Sequence, residues 1–255
     1  MRCFVVLLTA LALAVLVEPV PLGPASASTE APSTSAAVHA KGRPGSPKDH
    51  TWLFKKLTRW PSCGALTYRI NPAKAPDGWK RLVRKAIKKT QKATRLHFRY
   101  VGRSHQKVRN SSRNPRGTDI VIAFLDPKQT NMLNGDGVAG RGGASSNGHR
   151  LFNGKLVLNG PLLSQMAGGF GTGPVYGIQG TQGQVLMHEL GHVVGLGHAK
   201  DPSQIMYFAT TFKPAAWGAG DFKGLRILGR GGCHRGRVAA PAGEVTSRWL
   251  AGQLM

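Results

Sequence analysis

Residues 188–198 read His188-Glu189-Leu190-Gly191-His192-Val193-Val194-Gly195-Leu196-Gly197-His198, the pattern H-E-x-x-H-x-x-G-x-x-H. No other stretch restricts the fold as tightly. Five fixed residue types at set intervals match by chance on the order of once in ten thousand such chains. His188 and His192 are four apart, so a helix places them one turn above each other on one face. Both imidazoles then reach a single ion at about 2.0–2.1 Å. Glu189 is rotated off that axis, which suits a carboxylate that contacts a metal-bound water and not the metal. Gly195 follows three residues after the second histidine, where a helix stop needs a left-handed backbone that glycine adopts without penalty. The chain turns back, Gly197 is expected to keep it pliable, and His198 returns as a third ligand. Three protein ligands leave the fourth position on zinc open for water, as in catalytic sites. A merely amphipathic helix would not need Glu189, Gly195 and His198 together.

The flanks agree. Val185, Leu186, Leu190, Val193 and Val194 form a helical apolar set beside the metal face, which predicts a helix over 181–195. Eight residues past His198 stands Met206, placed to form an apolar floor beneath the imidazoles. Upstream, the pattern predicts strand 66–70, helix 79–96, and strands 98–101, 118–125 and 155–159. Ile120, Ile122 and Phe124 alternate with Val121 and Ala123, as in a strand buried on both faces. Asp221 is placed to cap a last helix over 221–229. The glycine-rich stretches around Gly135–Gly140 and Gly168–Gly171 read as loops. Gly135-x-Gly137-x-x-Gly140 matches a dinucleotide fingerprint in letters only, since it neither follows a clean strand nor opens a helix.

With the metal motif and Met206 in place, the chain resembles a bacterial-type member of the matrixin branch of the metzincin metalloproteases. His198 to Tyr207, with Asp201-Pro202 before Ile205-Met206-Tyr207, is similar to the family's third-ligand and Met-turn stretch. Leu66–Ile70 and Thr118–Phe124 resemble its first and third strands, and the likeness spans roughly residues 52–233. It implies an α+β zincin (metzincin) fold: a twisted, mostly parallel mixed sheet, two main helices, and a small C-terminal subdomain below the active-site cleft. It also implies one catalytic Zn²⁺ on His188, His192 and His198, Glu189 as general base, and Met206 as the structural Met-turn. The substrate would lie extended along an edge strand, taken as 155–159, with the 199–207 loop shaping specificity. Ala199 stands where matrixins usually carry Ser. The Asp- and His-rich segment that holds calcium and a second zinc in vertebrate matrixins has no clear counterpart, so those metals are left open.

The N-terminus carries Arg2, an apolar run from Cys3 to Val17, and Ala25-Ser26-Ala27, which reads as a signal peptide over 1–27. The run is too short for a transmembrane helix. Residues 28–51, rich in Ser, Ala and Pro, read as a disordered leader. A catalytic domain over 52–233 and a tail over 234–255 complete the expected organisation. Cys3 leaves with the signal, so Cys63 and Cys233 remain. In an oxidising compartment an even pair favours a disulfide, and similar family members carry cysteines at both places. The rival is a cysteine switch at Pro61-Ser62-Cys63-Gly64, but that device ends a folded prodomain and only a short polar leader precedes Cys63.

Net charge is +24, from 35 Lys and Arg against 11 Asp and Glu. Lys80, Arg81, Arg84, Lys85, Lys88, Lys89, Lys92 and Arg95 fill the polar face of the 79–96 helix. Such a face is either simply solvated or attracts polyanions such as anionic cell-surface polymers. No recognition helix or RNA-binding motif accompanies it, which argues against specific nucleic-acid reading. His39, His50, His97, His105 and His234 lack ligand spacing. The sequence therefore points to a secreted, monomeric zinc endopeptidase acting on proteins or peptides. The alternative is a cationic exported polyanion-binding module on the same scaffold.

Overall fold

Six consecutive apolar residues set the centre of the sheet. In β3 (Ile120–Leu125) every residue is buried. Ile120, Ile122 and Phe124 enter the larger of two cores, while Val121, Ala123 and Leu125 enter the smaller. Successive strand side chains point to opposite faces, so an unbroken apolar run fits a strand covered on both sides. β1 (Leu66–Asn71) flanks β3 in parallel on one side and β5 (Leu151–Asn159) on the other. β2 (Phe98–Arg103) runs parallel to β1 at the outer edge. β4 (Val138–Ser146) is antiparallel to β5, and β6 (Thr246–Gln253) is antiparallel to β4, giving the order β2-β1-β3-β5-β4-β6. The computed structural model describes residues 42–233 and 245–253, and these statements concern those residues.

Four helices cover the larger core. α1 (Trp79–Thr94) buries Leu82, Val83, Ala86, Ile87 and Ala93 and leaves Lys80, Arg81, Arg84, Lys85, Lys88 and Lys92 exposed. It ends where Arg95 takes a left-handed backbone, φ 67°, one residue before the expected stop at Leu96. A short α2 (Gly160–Gln165) follows β5 directly, started by Asn159, whose side chain accepts the Leu162 N–H at 3.2 Å. α3 (Gln182–Val194) is buried along its whole length, and α4 (Ala219–Leu228) packs on α1 and α3. The smaller core on the opposite face is closed by Val108, Met132 and Leu133 from the connections around β3. This is the mixed-sheet α+β arrangement expected. Among the described residues no helix is long and apolar enough to cross a membrane.

Four expectations need correction. The glycine-rich stretch after Gly137 is not a loop: it is β4, and its glycines serve close approach. A Cβ on Gly142 would strike the Glu189 carbonyl, and one on Gly140 would sit 2.8 Å from Glu189 Cγ. Residues 155–159 are not an edge, because β3 and β4 pair with β5 on both sides. Part of the expected tail, 246–253, is a strand. Residues 42–51, placed in the leader, pack on the domain: Ala219 N–H donates to the Pro44 carbonyl at 2.8 Å, and Arg43 reaches the Trp217 carbonyl at 2.9 Å. The expected signal peptide, the rest of the leader, His39 and His234 lie outside the described residues.

Candidate metal centre

Local chain geometry builds the site. Thr181 opens α3, its hydroxyl accepting the Gln184 N–H at 3.3 Å. Gly195 closes it in the left-handed region, φ 116°, with its N–H on the Gly191 and His192 carbonyls. Leu196 N–H also returns to the Gly191 carbonyl at 2.9 Å, so the chain reverses within one turn. Gly197 then allows an approach instead of supplying pliability: a Cβ there would strike Thr51, and Gly197 N–H donates to the Thr51 carbonyl at 2.9 Å. Thr51 Oγ1 donates to the His198 carbonyl at 2.7 Å, which fixes the third histidine. Beyond it, Asp49 accepts the Lys200 and Asp201 N–H groups at 3.0 and 2.8 Å. The segment expected to be disordered thus braces the loop after α3.

The imidazoles are oriented through their other nitrogens. His188 Nδ1 meets the Ile205 carbonyl and His192 Nδ1 the Leu196 carbonyl, each at 2.8 Å. A carbonyl only accepts, so each Nδ1 carries the proton and each Nε2 presents a lone pair. These two Nε2 atoms lie 3.0 Å apart with no proton to share. His198 Nε2 is buried and has no hydrogen-bond partner. One ring nitrogen from each histidine falls within 4.8 Å of the others. Converging lone pairs repel unless a cation lies among them, and three imidazoles suit zinc. The residues fit the ion. Burial pushes the His188 pKa down to about 3, aided by His198, and holds His192 well below and His198 below the ordinary value. All three are therefore neutral, the form that binds metal, at pH 7.

Glu189 lies beside this centre. Its Oε1 accepts the Gly252 N–H at 2.9 Å, while Oε2 is buried without a partner. Burial pushes its pKa up to about 8, against hydrogen bonds from Gly252 and Gly142 and the charge of Arg141. Met206 is buried against the helix backbone, its sulfur occupying the space a side chain on Gly191 would need. Ala199 N–H closes the turn on the Met206 carbonyl at 2.8 Å.

Sequence reading missed what holds that turn. Asp221 is the third residue of α4, not its cap, and is fully buried. Its carboxylate accepts the N–H groups of Ile205 at 2.6 Å, Gly218 at 3.0 Å and Met206 at 3.3 Å. Gln204 Oε1 supports α4 in turn, accepting from Gly220 and Asp221 at 2.9 and 3.0 Å. An acidic residue in a first helical turn was the only signal available. Cys63 and Cys233 form a disulfide with Cα atoms 5.0 Å apart, tying the approach to β1 to the segment after α4.

A family model described as Matrixin, a peptidase family, matches residues 59–223. The chain belongs to the matrixin family. It is therefore grouped with zinc metalloproteases, and its three-histidine cluster supplies the donor set such an enzyme needs. Among curated proteins none matches the chain. In this matrixin the matched span runs from before β1 into α4 and takes in the whole histidine motif and Met206. Asp49, the Cys233 end of the disulfide and β6 lie beyond it. Among the described residues no second group of three or more metal-ligating side chains is gathered.

Proposed function

We propose that this matrixin is a secreted endopeptidase that hydrolyses peptide bonds at the His188, His192 and His198 centre, with Glu189 as general base. The observation that carries it is the donor geometry: two lone pairs facing each other, a third unpartnered ring nitrogen, and an unpartnered carboxylate oxygen alongside. Zinc held by the three histidines would supply Lewis-acid polarisation of the scissile carbonyl and an acidified water. The chain's own residues do the rest. The Ile205 and Leu196 carbonyls keep His188 and His192 in the metal-binding tautomer. Burial alone would keep Glu189 protonated at pH 7; the charge of a bound zinc would favour the carboxylate, whose Oε2 would then take the proton of the attacking water and pass it to the leaving amine. β4 runs beside Glu189, and its side away from β5, paired here with β6, would be the one to pair with an extended substrate peptide. Val185, His188, Ile205, Ala209 and Thr210 line a narrow opening that a substrate side chain would enter.

Export rests on the signal-like N-terminus and agrees with the disulfide, since disulfides persist in oxidising compartments. The exposed cations of α1 would hold the enzyme near anionic polymers by a salt-sensitive attraction. Zinc-loaded protein should degrade casein, and both chelation and Glu189→Ala should stop it. Folded, zinc-containing Glu189→Ala protein that still cleaves at the parent rate would overturn the assignment of the base.

A further inference from the structure

β4 is a strand with a consumed edge. One side pairs with β5, and the other pairs with β6 from Ser146↔Thr246 to Val138↔Gln253. A free edge of that length would offer its unpaired N–H and C=O groups to any extended chain. β6 supplies that chain, and where it ends is informative. Gly252 N–H reaches Glu189 Oε1 at 2.9 Å. A side chain on Gly252 would meet Glu189 Oε1 at 2.7 Å and His188 Cδ2 at 3.1 Å, so only glycine brings the backbone this near. The Ala251–Gly252 amide thus stands against the base and a ligand histidine, where a substrate amide has to stand.

Its seating is modest elsewhere. The Trp249 ring lies 4.7 Å from Lys155 Nζ and, with Ala251, packs on the smaller core. Ser247 Oγ and Ser145 Oγ share a hydrogen bond of 2.8 Å. Val245 to Arg248 are exposed. β6 also lies outside the span that matches the matrixin model, which ends at residue 223.

From this placement we propose that Thr246–Gln253 occupies the substrate cleft in cis, as a peptide-like strand that keeps the enzyme latent until it is displaced or removed. This rests on the peptidase reading of the site. The β4 edge and Glu189 Oε1 cannot serve β6 and a substrate at once, so the two compete.

The test compares the intact chain, a chain ending at Glu244, and full-length Gly252→Pro, which loses the N–H donor and adds bulk against Glu189. The Gly252→Pro chain keeps the comparison valid if the shortened one does not fold. Both altered proteins should raise kcat/KM on an unstructured peptide at least tenfold over the intact chain. A synthetic peptide of residues 245–253 should inhibit the shortened chain competitively. Deuterium exchange, read with and without zinc, should show residues 138–146 exposed by either change and protected again by the added peptide. Unchanged exchange, or faster exchange with kcat/KM no higher than that of an active intact chain, would assign β6 to the structural sheet and overturn the proposal. If every form is inactive on casein yet the peptide restores protection and an unrelated unstructured peptide competes with it, the peptidase reading fails while occupancy of the edge stands.

Discussion

Glu189 and Asp221 are both fully buried carboxylates, yet their surroundings give them different work. Glu189 has one oxygen satisfied and one without a partner, the arrangement expected of a group that exchanges protons. Glu189→Gln should lower kcat by about 10²–10⁴ with little change in zinc content, because the ligands are untouched. Metal analysis beside kinetics checks this, and loss of zinc would indicate a structural role instead. Asp221 is held by three backbone N–H groups, but burial still pushes its pKa up to about 6 from 3.8. A carboxyl raised in the folded state stabilises below its unfolded value and loses that contribution as pH rises through about 6. Asp221→Asn stays neutral throughout. The stability of the parent relative to this variant should therefore increase by up to ~3 kcal/mol on going from pH 7 to pH 4. Urea melts of both proteins in chelator would show it, and a pH-independent difference would refute the assignment. Nothing in the sequence announced Asp221 as the clamp on Met206, since its partners are backbone groups remote in the chain.

Among the elements, α3 was legible nearly to the residue because its signals are local. The apolar period, Thr181 and Gly195 all act within a turn of where they stand. β4 was not legible, because its glycines answer to a neighbour and not to their own backbone. Val138–Ser146 alternates no apolar face, yet Gly140 and Gly142 must lack side chains for the strand to lie against Glu189. Gly142→Ala would press a methyl into the Glu189 carbonyl, a backbone atom that cannot swing away. It should cost on the order of 1–3 kcal/mol and weaken activity together with stability. A thermal melt and an activity assay check this, and an unaltered melting temperature would show that β4 yields. That 155–159 lies inside the sheet and not at its edge has the same origin: strand order is a property of pairing across the sheet.

For the whole molecule, the Cys63–Cys233 link spans a sequence separation of 170 residues and ties the approach to β1 to the segment after α4. Replacing both cysteines by serine should cost about 2–5 kcal/mol, read from urea melts under non-reducing conditions. No change would mean that packing of α4 alone secures the end. The charge of +24 acts at this scale too. Retention on an anionic polymer such as polyphosphate should fall steeply between low salt and about 0.5 M, where the screening length shrinks to a few ångströms. Retention that ignores salt would exclude an electrostatic origin. By itself the sequence determined the three-histidine cluster, the helix that carries two of its members and the buried central strand, because each is written in spacings that a helix turn or a strand pleat converts directly into geometry. Only the tertiary structure decided which strand forms the edge, what braces His198 and Met206, and that residues 246–253 pair with β4, because those depend on backbone groups far apart in the chain meeting one another.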